Sequence, residues 1–189
     1  MVTMLGVALL LAGCSPALNW RVARLDAAPV QALMPCKPER AEREVALQGP
    51  EGPPATLRMM SCDSAGLTFA VAAVRLPEAG GNSASPAALM DRWQQATWAS
   101  LRQAPANRSD AENTATSHAP EGWMPLLQPV RGAELQRGWE GPGLAHNGQP
   151  LQARFVLAQR AGWLVQAAVY GPGWSTETGE TFFGGLALE

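Results

Sequence analysis

The clearest alternation of hydrophobic and small residues in this chain runs from Gly66 to Leu76. Leu67, Phe69, Val71 and Ala73 mark one face, and Thr68, Ala70, Ala72 and Val74 form a second face of smaller residues. A period of two is the mark of a strand. Low polarity on both faces predicts a central strand with something packed against it. Upstream, Asn19 to Leu25 alternates Trp20, Val22 and Arg24 against Arg21, Ala23 and Leu25, which predicts a first strand. Residues 29–38 contain Pro29, Pro35 and Pro38 and read as an extended connector. Glu44 to Gln48 and Ala55 to Cys62 read as the arms of a hairpin around Gly49-Pro50-Glu51-Gly52-Pro53-Pro54.

After a loop at residues 80–84 the period changes to that of a helix. Ser85 offers an N-cap and Pro86 suits the first turn. Met90, Trp93, Thr97 and Leu101 fall on one side, flanked by Leu89 and Ala96, which predicts a long helix to about Gln103 with that side on the sheet. Gln94 and Gln95 then belong to, or lie nearer, the opposite side. Residues 104–122 are polar and turn-rich and read as a mobile loop.

The second half is a run of strands. Ala133 to Glu140, Pro150 to Gln159 and Trp163 to Tyr170 each alternate, separated by the turn signals Asn147-Gly148 and Ala161-Gly162. Three consecutive antiparallel strands, a meander, is the natural reading. Ser175 then caps a short closing helix with Glu177 and Glu180 near its start and Phe182 and Phe183 on its packing side. Leu186 to Leu188 forms a final short strand. The expected fold class is α+β, an antiparallel sheet of about six or more strands with a long central-sequence helix and a short C-terminal helix packed on it.

Composition changes this picture little. At 189 residues, with 47% hydrophobic content, the chain is the size of one domain with ample material for a core. A formal charge of −2 with acids and bases interspersed leaves no basic stripe for nucleic acid and no polybasic membrane patch. The N-terminus changes it more. An apolar run from Met4 to Leu11 leads into Leu11-Ala12-Gly13-Cys14, and this resembles a bacterial lipoprotein signal peptide ending in its lipobox. The run is too short to span a bilayer, which takes about 20 apolar residues. No Lys or Arg precedes it, so the usual basic n-region is missing. The competing reading is an ordinary cleaved signal with a chance cysteine.

The lipoprotein resemblance implies acylation of Cys14 and a palmitate-type anchor. It divides the chain into a signal peptide at residues 1–13, a short tether at 14–18 and a single globular domain at 19–189. Ser15, where an Asp would favour inner-membrane retention in enterobacteria, points to the outer membrane's inner leaflet, facing the periplasm. With Cys14 lipidated, Cys36 and Cys62 remain in an oxidising compartment, which favours a disulfide closing a ring of about 25 residues, worth roughly 3 kcal/mol. A metal pair or a reactive thiol competes. A metal site needs more ligands, and His118 and His146, the two histidines, lie in polar loops.

The order of elements also resembles the PsbP-like fold, with Leu33-Met34-Pro35-Cys36-Lys37-Pro38 and Glu180-Thr181-Phe182-Phe183-Gly184-Gly185-Leu186 as the stretches that carry the likeness. The chain is similar as well to uncharacterised envelope lipoproteins of beta-proteobacteria. That resemblance implies a binding or assembly module.

A search for chemistry finds little. Neither a Gly-x-Ser-x-Gly elbow nor a phosphate-binding glycine motif, HExxH or EF-hand loop occurs. Ser117-His118 falls in the polar loop and His146 in a turn. The expectation is therefore a protein that is not an enzyme, has no cofactor and no metal, and binds or helps assemble an envelope component. The alternative is a carrier or sensor of a small apolar ligand held between sheet and helix. Of the seven tryptophans, Trp93, Trp139 and Trp163 fall on apolar faces and read as core. Trp98, Trp123 and Trp174 lie at edges or beside loops and are the candidate binding surface, with burial under loops as the competing reading.

Overall fold

A computed structural model of the chain describes residues 18–49, 52–77, 84–101 and 119–189. Cys14, the rest of the lipobox, His118 and most of the polar loop lie outside the described residues. The elements run β1 (Arg21–Arg24), β2 (Val30–Met34), β3 (Glu39–Val45), β4 (Ala55–Ser64), β5 (Leu67–Arg75), α1 (Pro86–Ser100), β6 (Met124–Pro125), β7 (Leu135–Leu144), β8 (Pro150–Arg160), β9 (Trp163–Gly171), α2 (Thr176–Gly184) and β10 (Ala187–Leu188). The fold class is α+β. Its strands divide into two antiparallel sheets: seven in the order β3-β4-β5-β9-β8-β7-β6, and three in the order β1-β2-β10.

β5 pairs with β4 on one side and β9 on the other, the central position that its two apolar faces require. Phe69, Val71 and Ala73 point to one face, where they meet Ala32 and Met34 of β2 and Phe182 and Phe183 of α2. Ala72 and Val74 point to the other, beneath Leu89, Met90 and Trp98 of α1. The large sheet is thus the middle of three layers. Tight turns hold its hairpins in register. Ala65-Gly66 and Ala161-Gly162 all have positive φ, the two-residue turn whose twist matches that of the strands it joins.

Four elements differ from the sequence expectation. The connector at residues 29–38 contains β2, because its prolines flank the strand and leave the amides from Val30 to Met34 free to pair with β1 and β10. β3 begins at Glu39, well before Glu44, and its exposed charges suit a sheet edge, where they discourage pairing with another chain. The helix is not long: α1 has 15 residues, capped by the Ser85 hydroxyl accepting from the Ala88 amide. The closing segment after α2 adds β10 to the small sheet and not to the large one.

The Cys36–Cys62 disulfide is formed, with a Cα–Cα distance of 6.1 Å. It ties the segment leaving β2 in the small sheet to β4 in the large one, and so joins two layers covalently. Among the described residues no helix is long and apolar enough to cross a membrane.

Candidate functional site

One helix cannot cover one face of a seven-stranded sheet. A helix with its side chains is about 10–12 Å across, whereas seven strands spaced at about 4.8 Å span roughly 29 Å. α1 lies over the β7–β9 half. There Asp91 pairs with Arg137 of β7, and the Trp139 indole of β7 donates to the Gln94 carbonyl at 2.7 Å. The Gln166 amide of β9 donates to the Thr97 hydroxyl at 2.8 Å. Along the other flank of α1, among the described residues, a cleft opens between the helix and the β3–β5 half of the sheet.

The cleft encloses about 670 Å³, within the range of roughly 300–1,000 Å³ typical of small-molecule sites. Strand register builds its floor. Arg43, Leu57 and Val74 are successive cross-strand partners on β3, β4 and β5, so their side chains share the face on which α1 packs. Val45, Ala46, Leu47, Gln48 and Gly49 form the outer wall, where Gly49 N–H donates to the Ala46 carbonyl and turns the chain back over the sheet. The inner wall is the flank of α1 that carries Arg92, Trp93 and Ala96. Gly49 has φ of +100°, and a Cβ built there would lie 3.5 Å from Nη1 of Arg92, so the guanidinium reaches across to the turn.

The lining is chiefly apolar and its only charges among the described residues are those of Arg43 and Arg92. Among the described residues Arg24, Arg40, Arg58, Arg137 and Arg154 form ion pairs, and neither cleft arginine does. No cluster of three His, Cys, Asp or Glu side chains among the described residues is placed to hold a metal ion.

Two of the tryptophans singled out as a surface are elsewhere. Trp98 is 2% and Trp123 6% exposed. Trp98 packs edge-on against Trp139, Trp123 and Phe155, with ring centroids 5.3, 6.1 and 6.4 Å away. Trp123 reaches this cluster because Gly141 leaves room for it: a Cβ on Gly141 would lie 2.6 Å from its ring. Both indole N–H groups are buried without a hydrogen-bond partner. The corrections have one cause, which is that the aromatic side chains of β7 and β8 draw the Trp98 flank of α1 inward. That rotation makes Gln94 fully buried, not solvent-facing, and leaves Trp93 half-buried as a wall of the cleft. Trp139 is half-buried and Trp163 is buried. Trp174 is half-buried beneath the guanidinium of Arg154, 5.9 Å from its ring, while Arg154 also pairs with Glu140. It serves as a brace against α2 and is not a free stacking surface.

Trp93, read from the sequence as core, is half-buried, packed against the core and also lining the cleft, while Arg43, Val45, Leu47, Leu57 and Arg92 were not singled out by the sequence at all. No local signal links β3 with α1. Their meeting depends on the strand order of the large sheet.

Comparison of the chain with family models, with curated proteins and with solved structures found no match.

Proposed function

We propose that this protein is a non-enzymatic binding module of the bacterial envelope that holds a small apolar ligand between α1 and the β3–β5 half of the large sheet. The observation that carries this reading is the open cleft of about 670 Å³ with Leu57, Val74, Val45, Leu47 and Trp93 around it.

The setting belongs to the same proposal. Cys14 carries the lipid anchor, the protein is held at the outer membrane's inner leaflet, and the domain faces the periplasm. The lipobox and the Cys36–Cys62 disulfide support this, since such a bond persists in an oxidising compartment. The PsbP-like relationship is supported by the order of elements, in particular the strands, the helix, the meander and the closing helix. Nucleic acid is not among the partners proposed, given a formal charge of −2.

A second reading is docking of an envelope protein, which Met124 and Leu127 favour. They are 65% and 98% exposed beside the two-residue edge strand β6, and adjacent apolar exposure of this kind marks contact surfaces.

The test of the first reading is the neutral fluorescent probe N-phenyl-1-naphthylamine. Saturable binding is expected, and Ala96→Trp, which fills the cleft from an exposed helix position, should remove it while leaving the melting transition in place. Undiminished binding to a folded Ala96→Trp variant would place the site elsewhere.

A further inference from the structure

We propose that the cleft takes a single-chain amphiphile with a carboxylate head, a fatty acid, whose chain lies on the Leu57–Val74 floor and whose head meets Arg43 and Arg92. The inference rests on the cleft being a ligand site. It adds the ligand's charge and shape.

Charge complementarity carries it. Arg43 comes from β3 and Arg92 from α1, the two walls of the cleft, and no acidic side chain is among the described lining residues. The acids nearest in sequence are turned to other partners. Glu42 pairs with Arg58, Glu44 accepts from the Thr56 hydroxyl and Asp91 pairs with Arg137. Among the described residues neither cleft guanidinium is in an ion pair, which leaves their donors open to a carboxylate, and a carboxylate accepts such a fork in bidentate fashion. Beside the arginines, Leu57, Val74, Val45 and Leu47 offer only apolar contact, and Trp93 adds the face of its indole. This division of a site into a charged rim and an apolar interior is the chemistry of an amphiphile.

The size of the head follows from what else lines the site. Gln48 is the one uncharged polar side chain among the described lining residues apart from the Trp93 indole. Little there would recognise the glycerol and further hydroxyls of a phospholipid head, whereas a compact carboxylate needs only the two arginines. Chain length should then contribute through burial, up to about fourfold in affinity for each added methylene that stays within the cleft.

The probes are 11-bromoundecanoate and 11-bromo-1-undecanol, whose bromine quenches tryptophan fluorescence on contact, and the protein is the chain with Cys14→Ser and every other residue kept. The acid should quench saturably and bind about tenfold or more tightly than the alcohol, since hydrogen bonds to charged groups are the stronger ones. Trp93→Phe should remove most of the quenching. Arg43→Gln with Arg92→Gln should bring the acid down to the alcohol's affinity. Arg21→Gln with Arg131→Gln, which removes the same charge from exposed positions outside the cleft, should leave the preference intact. Equal affinities for acid and alcohol would overturn the carboxylate inference and leave the cleft reading standing. Absence of saturable quenching by either would overturn both. Equal loss in the two arginine pairs would reduce the preference to general electrostatics, and tighter binding of dodecyl phosphate than of dodecanoate would refute the choice of head.

Discussion

Trp98 and Trp93 stand five residues apart on the same helix, and their truncation should have opposite consequences. Trp98 is 2% exposed and meets three aromatic rings. Truncation of a buried tryptophan to alanine costs about 3–5 kcal/mol, the sum of lost transfer free energy and the cavity left behind. Each favourable ring pair adds about 0.5–1.5 kcal/mol beyond its buried area. One opposing effect is visible. The Trp98 N–H has no acceptor, so its removal relieves a desolvation cost of about 1–3 kcal/mol. We therefore expect about 3 kcal/mol for Trp98→Ala, and a smaller loss for Trp98→Phe, which keeps a ring and discards the unpaired donor. Trp93→Ala removes a half-buried wall from a space already open and should cost about 1 kcal/mol or less while abolishing probe binding. Gln95→Ala, at an exposed position, should stay within about ±0.5 kcal/mol. Gln94→Ala should cost more than that, because it strands the Trp139 N–H. Urea melts with the disulfide intact provide the assay. With slopes of about 1–3 kcal/mol per molar, a 3 kcal/mol loss moves the midpoint by roughly 1 M or more. A Trp93→Ala midpoint as low as that of Trp98→Ala would show that α1 packs through its other flank, and the cleft would go with it.

Three further outcomes are expected. Cys14→Ala should release the protein from membranes, and a variant that still sediments with them after a carbonate wash would mean that something other than a lipid holds it. Unreduced mature protein should yield a peptide joining Cys36 to Cys62 by mass spectrometry, and Cys36→Ser with Cys62→Ser should lower stability by roughly 3 kcal/mol; free-thiol labelling of both cysteines in periplasmic material would contradict the pairing. Burial pushes the Tyr170 phenol up from 10.0 to about 12, so the folded state favours the neutral form. Its contribution is fully present below about pH 10 and is lost as pH rises towards 12; Tyr170→Phe should flatten that decline in alkaline melts, and identical pH profiles would show that the phenol is solvated in the folded protein.

Much of the architecture follows from local pattern. β5 reads as central because Leu67 to Val74 carry no charge on either face, and it lies between β4 and β9 in the large sheet. The caps at Ser85 and Ser175 act within a few residues of chain, so their positions are legible without any knowledge of the fold. The turn at Ala161-Gly162 and the meander it helps form are local in the same sense. β2 was obscured because its flanking prolines dominate a short window, while its pairing with β1 and β10 draws partners from both ends of the chain.

The sequence by itself therefore determined most of the strand and helix segments, though not β2 or the start of β3, and the apolar faces of β5 and of the meander strands. It did not determine which flank of α1 turns inward. At about 100° per residue, Trp93 stands roughly 60° to one side of Met90 and Trp98 roughly 80° to the other, and both are tryptophans. Helical period alone cannot choose between them. The choice falls to Trp139 and Phe155, which β7 and β8 place under the Trp98 side. The cleft is a tertiary product for a related reason. It exists because a single helix about 10–12 Å wide is laid on a sheet of seven strands, and Arg43 and Arg92 meet there only because strand order carries β3 to the uncovered edge.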